Sequence, residues 1–137
     1  KKDRAPYYVA KVPGTKMIMI RYSLNFGQDY GVPGFQFERF VTGKRLEDRH
    51  DIGFVEHVQV MKIGNFGVLI AAEADAVDDD GNPVEIKLIK SGLGGTKSFF
   101  QMAGSGSLTL IEGKNEKGEL KSINAIHLNE IAKSIAE

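Results

Sequence analysis

Two short pairs of charged residues interrupt apolar stretches in the middle of the chain. Glu73 and Asp75 lie in one stretch, and Glu85 and Lys87 lie in the next. Like charges held together on an apolar surface repel one another and lose hydration. The three carboxylates therefore need a neutralising partner beyond Lys87, and carboxylate oxygens are the ligands that Mg²⁺ prefers. The pattern favours metal-dependent phosphodiester hydrolysis, in which the acids hold the cation and Lys87 assists the water or the phosphate.

Both pairs lie in stretches that read as two antiparallel strands joined by a turn. The strands are predicted at residues 66–77 and 83–89, and the segment between them, DDDGN, contains an Asp-Gly pair typical of tight turns. Side chains alternate between the faces of a strand, so each charged pair should occupy one face. A hairpin would then set the two pairs side by side. The alternative to a metal site is an open sheet face on which these four charged side chains are solvated and have no catalytic role.

Composition and charge narrow the classes of function. The 137 residues suit one domain, and a hydrophobic content of 42% is enough for a core. Basic and acidic residues each number 18, so the chain has no general basic coat for nucleic acid, although a local basic channel is compatible with this balance. The lack of cysteine excludes disulfides, thiolate metal sites and cysteine nucleophiles, and it fits a reducing compartment.

The ends of the chain and its apolar runs give two further expectations. No apolar run approaches the ~20 residues of a membrane span, and no signal-peptide pattern is present, so we expect no membrane partner. The chain begins at Lys1 rather than at a methionine. We interpret residues 1–137 as a single domain that is a fragment or an incomplete version of a longer chain.

The periodicity of the whole chain predicts an α+β domain with an antiparallel-rich mixed sheet flanked by helices. In the first helix Phe37, Phe40 and Val41 should face the core, and Thr96 should cap the second helix. The charge run 44–51 is typical of a solvated loop, or of a source of phosphate contacts. Strands are predicted at 7–10, 16–23, 54–63, 66–77, 83–89, 107–112 and 119–123, and helices at 35–42, 97–102 and 128–136.

Taken in order, these features resemble the DXO family of RNA decapping nucleases, whose core is similar to the PD-(D/E)xK nuclease fold. GFQFERF resembles the family's helix with a metal-site glutamate, here Glu38, and VLIAAEADAV resembles its acid-x-Asp strand. VEIKLIKS resembles its ExK strand, and KSFFQ resembles the helix with an active-site glutamine, here Gln101. An ExK pair alone is common by chance, whereas the ordered set, spread over residues 35–128, is more specific. Family members are longer, with further N-terminal strands and a C-terminal helix that complete the substrate pocket.

The resemblance implies a cofactor of one or two divalent cations, Mg²⁺ or Mn²⁺, held by oxygen ligands. Glu73 would bind a cation directly or through water. The other expected ligands are the carboxylates of Glu38, Asp75 and Glu85 and the backbone carbonyl of Ile86.

The catalytic roles follow from the same comparison. Lys87 would hold the attacking water or stabilise charge on phosphorus, and Gln101 would position water or a phosphate oxygen. The expected catalytic residues are Glu73, Lys87 and Gln101. The residues expected to touch substrate are Glu38, Glu73, Lys87 and Gln101.

The implied activity is hydrolysis at the 5′ end of RNA. Family members remove incomplete or noncanonical caps, including nicotinamide caps, and several then act as 5′–3′ exoribonucleases. The resemblance thus implies an RNA 5′ end or a capped RNA as partner, a nuclear exoribonuclease as protein partner, and a nuclear or cytoplasmic location. Two alternatives stay open, a different PD-(D/E)xK nuclease that acts on DNA and a catalytically inactive relative that binds RNA ends or a nuclease partner.

Aromatic residues are the natural base-binding groups in a cap pocket, because unpaired bases stack on aromatic rings. The candidates are Tyr30, Phe35, Phe99 and Phe100, with core packing as the alternative role of each. His57 lies within a predicted strand and is assigned no role.

Overall fold

The computed structural model describes residues 7–22, 33–43, 55–90 and 95–136. Tyr30 and the charge run 44–51 lie outside the described residues. In chain order the described strands are β1 (Tyr7–Lys11), β2 (Ile18–Tyr22), β3 (Val55–Ile63), β4 (Phe66–Ala74), β5 (Ala76–Val77), β6 (Pro83–Ile89), β7 (Thr109–Glu116) and β8 (Glu119–His127). The described helices are α1 (Pro33–Val41), α2 (Thr96–Ser105) and α3 (Leu128–Ala136).

The described strands form one four-stranded sheet and two separate hairpins. The sheet has the order β5-β6-β7-β8, in which β6 and β7 run parallel and the other neighbours run antiparallel. The hairpins are β1–β2 and β3–β4. Parallel neighbours need a crossover connection, which α2 supplies between β6 and β7. The predicted α+β class with an antiparallel-rich mixed sheet is confirmed.

Alternation along β6 and β7 gives the main sheet two faces, each covered by helix. On one face Phe37 of α1 packs against Val84 and Ile86. On the other face the buried residues of α2, β7, β8 and α3 form a second cluster, which contains Met102, Leu110, Ile126 and Ile131. Burying a side chain of this size contributes about 1.5–3 kcal/mol, so the two clusters fix both helix layers on the sheet.

A close approach between α1 and β7 sets the position of the helix that carries Glu38. A Cβ atom added to Gly113 would lie 2.5 Å from Cζ of Phe37, well inside van der Waals contact. The Phe37 ring therefore rests on the backbone of β7 where no side chain intervenes. Phe40, which the helical periodicity placed in the core, is instead 67% exposed, because α1 buries only the side that faces the sheet.

The predicted strand at 66–77 is wrong as a single element, because the chain bends at Asp75. β4 pairs with β3 as far as Ala74, and only β5 joins the main sheet. The expected hairpin with β6 therefore has two residue pairs, Ala76 with Val84 and Val77 with Pro83. A strand that changes partners must bend where the two sheets meet, and Asp75 occupies that position.

Two local predictions at chain turns have different outcomes. The DDDGN turn is confirmed, since Oδ1 of Asp78 accepts hydrogen bonds from the N–H groups of Asp80 (3.0 Å) and Asn82 (2.8 Å). Thr96 as the cap of α2 is wrong, because Gly95 occupies the N-cap position and no side chain caps the helix. Thr96 is instead the first residue of α2.

Candidate functional site

A cleft of about 400 Å³ opens between β4 and α2 and gathers most of the residues that the sequence singled out. Glu73 and Asp75 reach it from the β4–β5 segment, Glu85 from β6 and Gln101 from α2. The rest of its lining is Ala72, Phe100, Gly104 and Ser105. Four of the predicted site residues, distributed over three elements, are thus brought to one cavity.

Lys87 connects the strand side of this site to the helix side. Its Nζ lies 2.9 Å from Oε1 of Glu85 and also donates a hydrogen bond to Oε1 of Gln101. The side chains of Lys87 and Glu85 are only 22% and 8% exposed. Removing one member of such a shielded pair would leave the other charge uncompensated, so Lys87 and Glu85 depend on each other.

Two hydrogen bonds fix the backbone of β6 at Glu85 and at the next residue, Ile86. The N–H of Ile86 donates to Oδ2 of Asp75 at 2.7 Å, which ties the bend between β4 and β5 to the strand. The N–H of Glu85 donates to Oγ of Ser107 at 3.0 Å, and this hydroxyl in turn donates to the carbonyl of Thr109 at 2.8 Å. Ser107 is 1% exposed, and sequence reasoning missed its role. The backbone carbonyl of Ile86 stays a predicted ligand of the metal ion.

Electrostatic coupling links Glu38 on α1 to the acids of the cleft. Burial, and then the negative charges of Asp75, Glu85 and Glu73, raise the pKa of Glu38 to about 7, against a smaller opposing effect of Lys87. Carboxyl groups with pKa values near neutrality are typical of functional sites, although charge networks of purely structural importance show them too. The predicted membership of Glu38 in this charge cluster therefore has electrostatic support.

The pKa of Asp75 is also raised, to about 6. Loss of hydration is the largest cause and the charge of Glu85 the second, while the hydrogen bond from Ile86 and the charge of Lys87 act in the opposite direction. Asp75 as a whole stays exposed, so the protein atoms packed beside its carboxylate, rather than full enclosure, account for this loss. A positive charge brought to the cleft would stabilise the ionised carboxylate of Asp75.

Glu73 lies on a strand as predicted, but it does not share that strand with Asp75. It lies opposite Glu56 in the β3–β4 register and is exposed, whereas Asp75 lies in the bend beyond the strand. The two acids share the cleft but not one strand face. Like charges directly opposite each other on a sheet repel, so Glu56 adds to the negative potential near Glu73.

The carboxyl end of α2 is held by two side chains of β3, and sequence reasoning missed both. Nε2 of Gln59 donates to the carbonyls of Ala103 (2.7 Å) and Gly104 (2.8 Å). Nδ1 of His57 lies 2.9 Å from the carbonyl of Ser105, and since a carbonyl only accepts, Nδ1 is the donor. The last carbonyls of a helix have no partner within the helix. His57 and Gln59 supply partners and fix the β3–β4 hairpin against α2, which sets the walls of the cleft.

Gly106→Ala should destabilise this contact by about 2 kcal/mol, because a left-handed alanine costs about 1–2 kcal/mol before any clash. Gly106 has φ 76°, and an added Cβ would lie 2.8 Å from Oε1 of Gln59. The free energy of unfolding in urea measures the loss. The control is Gly104→Ala in α2, where an added Cβ meets no atom within 4 Å and helix propensity predicts a gain of up to about 1 kcal/mol. Unchanged stability of Gly106→Ala would contradict this description.

The donor chemistry of the cluster fits a hard divalent cation, because every candidate side chain offers carboxylate oxygen. The arrangement is not that of an assembled metal centre. In the described part of the chain no three Asp, Glu or His side chains are placed to hold one metal ion together. The Glu85 carboxylate is instead engaged by Lys87.

α1 also buries Arg39, the residue after Glu38. Arg39 is 6% exposed, and its Nε and Nη2 atoms are buried without a hydrogen-bond acceptor among the described residues. The guanidinium carbon lies 5.9 Å from the centre of the Phe35 ring, within the range of a cation–π interaction. This ring contact offsets part of the cost of burying the charge.

No protein-family model matches this chain, and no curated protein or solved structure shows significant similarity to it. None of the helices in the described ranges is long and apolar enough to cross a membrane.

Proposed function

We propose that this protein is a metal-dependent hydrolase of RNA 5′ ends, which removes incomplete or noncanonical caps and degrades the exposed chain from its 5′ end. The observation that carries the proposal is the electrostatic coupling of Glu38 to the three acids that line the cleft, Asp75, Glu85 and Glu73. Gln101, which is hydrogen-bonded to Lys87, lines the same cleft. Carboxylates whose pKa is raised by neighbouring negative charge, as in Glu38 and Asp75, are stabilised by a cation. The likeness of the sequence to the DXO family supplies the choice of RNA 5′ ends.

The order of the elements supports a PD-(D/E)xK-like core. A helix with Glu38 covers the sheet, a bent strand presents Asp75, and the next strand presents Glu85 and Lys87. The crossover helix then brings Gln101 to the same cleft before the parallel strand β7. This order of elements is the one that the family resemblance implies, and it supports the proposal.

One or two Mg²⁺ or Mn²⁺ ions would be held by the carboxylates of Glu38, Asp75 and Glu85, with Glu73 and the Ile86 carbonyl as further ligands. When bound, such a cation supplies a hydroxide nucleophile near neutral pH and neutralises charge on the leaving oxygen. The raised pKa values of Glu38 and Asp75 mean that cation binding competes with protons.

The side chains that remain have positioning and electrostatic roles. Lys87 donates to both Glu85 and Gln101, so its ammonium group is held at the cleft, where it would stabilise charge that builds on phosphorus. The carboxamide nitrogen of Gln101 is left to donate to a water or a phosphate oxygen, because its oxygen already accepts from Lys87. Glu73, exposed at the cleft, would orient water.

A second candidate function is a catalytically inactive relative that binds RNA ends or a nuclease partner. The observation that favours it is the lack, among the residues described, of three side chains already placed around one cation. The pairing of Glu85 with Lys87 would then be a permanent ion pair.

Hydrolysis of 5′-labelled substrates separates these functions. The panel contains RNA with a 5′-monophosphate, an unmethylated guanosine cap or a nicotinamide cap, together with a 5′-phosphorylated DNA, each with Mn²⁺ and with EDTA. The proposal predicts Mn²⁺-dependent release from at least one RNA and little from DNA. Preferential cleavage of DNA would indicate a different nuclease, and no cleavage by the folded protein would favour the binding function.

A further inference from the structure

Two adjacent phenylalanines of α2 occupy opposite environments. Phe99 is half-buried and packs against the cluster that contains Met102 and Leu110. Phe100 is 66% exposed, although its ring centre lies only 5.5 Å from that of Phe99, with the planes inclined at 75°. The edge contact with an anchored ring limits the orientations of Phe100 without covering it. Core packing therefore explains Phe99 and leaves Phe100 unexplained.

Phe100 is also the large apolar side chain in the wall of the acidic cleft. The other lining residues are either small or polar, and Oε1 of Gln101, the next residue of α2, accepts a hydrogen bond from Lys87. Proteins that bind single-stranded nucleic acids combine aromatic rings, which stack on bases, with positive charge, which holds the backbone. Here the positive charge next to the ring's neighbour Gln101 is the ammonium group of Lys87, to which the cation of the proposed function would add. A base within a duplex already stacks on its neighbours and does not present a free face.

We propose that Phe100 stacks on the unpaired base next to the phosphate bound in the cleft, so that the site selects single-stranded RNA ends over duplex ends. This inference rests on the proposed function, because it takes RNA as the ligand of the cleft. Phe100 acts as a specificity-determining residue and takes no part in bond cleavage.

The test compares binding of a short 5′-phosphorylated single-stranded RNA by the wild type and by Phe100→Leu, with Ca²⁺ in place of Mn²⁺ to slow hydrolysis. Leucine keeps an apolar side chain and removes the flat aromatic face. The matched control is Phe40→Leu on α1, where the ring is 67% exposed but lines a different groove. Base stacking is worth enough that Phe100→Leu should weaken binding about 10-fold, whereas Phe40→Leu should bind as the wild type does.

An RNA with an abasic first nucleotide isolates the contribution of the base. Phe100→Leu and the wild type should bind this RNA equally, and the wild type should bind a blunt duplex about 10-fold more weakly than the single strand. The inference would be overturned if Phe100→Leu lost the same affinity for intact and abasic RNA, or if it bound intact RNA as the wild type does. It would also be overturned if Phe100→Leu and Phe40→Leu lost the same affinity, or if the wild type failed to bind RNA.

The outcomes also separate this inference from the proposed hydrolase function. Base-dependent binding through Phe100 without Mn²⁺-dependent cleavage would leave the stacking role intact and reject hydrolysis. Cleavage that requires Asp75, together with equal binding of intact and abasic RNA by the wild type and Phe100→Leu, would support the hydrolase and reject the stacking role.

Discussion

Asp75→Asn should abolish the metal-dependent hydrolysis of RNA 5′ ends while leaving the fold intact. The substitution removes a negative charge from the cleft but keeps an oxygen that can accept the 2.7 Å hydrogen bond from the N–H of Ile86. A bound cation contributes several kcal/mol of transition-state stabilisation, so its loss corresponds to a rate decrease of about 10³-fold or more. Initial rates with Mn²⁺, on the labelled RNA that the wild type cleaves, measure the effect.

The control for this experiment is Asp79→Asn, which makes the same change of charge in the exposed turn between β5 and β6. Asp79→Asn should hydrolyse RNA at the wild-type rate, and circular dichroism should show both variants folded. A folded Asp75→Asn protein with the wild-type rate would remove Asp75 from the reaction and with it the proposed cation site.

The metal-free protein should lose stability as the pH rises from about 4.5 to about 7, and Glu38→Gln should remove a substantial part of this loss, with Asp75 contributing the rest. Burial first, and then the charges of Asp75, Glu85 and Glu73, raise the pKa of Glu38 from 4.5 to about 7. Between these values the folded state keeps a proton that the unfolded state has released, so the free energy of unfolding falls as the pH rises. Each pH unit in this window is worth about 1.36 kcal/mol, but solvent screens the charge of the half-buried Glu38, so we expect a fall of about 1–2 kcal/mol.

Urea unfolding with EDTA at about pH 4.5 and pH 8 tests this prediction through the difference between wild type and variant. Glu38→Gln should be the more stable protein at the higher pH. Glu116→Gln is the control, because Glu116 is an exposed acid in a surface ion pair with Lys114 and should leave the pH dependence unchanged. Mn²⁺ should restore stability to the wild type at the higher pH, because a ligand of the folded state stabilises it. An identical pH dependence in Glu38→Gln and wild type would contradict the coupling of Glu38 to the cleft.

The sequence was informative about the site wherever the signal was local. Glu85 and Lys87 lie two residues apart on one strand, and the apolar stretches around them predicted β6 with its observed bounds. Gln101 lies on the predicted second helix, directly after Phe100 in the sequence. Hydrophobic periodicity was enough for these elements, because each is decided by its own residues.

The parts that the sequence did not predict depend on contacts between distant segments. His57 and Gln59 acquire their roles from carbonyls that lie 44 to 48 residues further along the chain. Ser107 acquires its role from the N–H of Glu85, 22 residues earlier. No alternation or motif in β3 marks a side chain as the partner of a helix end, so only the three-dimensional arrangement shows these roles.

The bend at Asp75 is a second feature that local sequence patterns did not predict. The apolar run from Phe66 onward continues past the bend, and nothing in its composition says that it changes partner from β3 to β6. Competition between β3 and β6 decides where the run stops pairing with one strand and begins pairing with the other. The bend frees the Asp75 side chain from strand alternation and lets it accept from Ile86.

The most direct test of the cation site is a calorimetric titration of the wild type, Asp75→Asn and Asp79→Asn with Mn²⁺ at about pH 7.5. We expect saturable binding by wild type and Asp79→Asn, with release of a fraction of a proton, because with a pKa of about 7 only part of the Glu38 population is still protonated at this pH. Losing an outer-shell partner already costs about 10–100-fold in metal affinity, so the loss of the Asp75 carboxylate should cost about 100-fold or more. Absence of saturable Mn²⁺ binding by the folded wild type, or equal binding by Asp75→Asn, would contradict the account and leave the acids around Lys87 as a charge network without a cation.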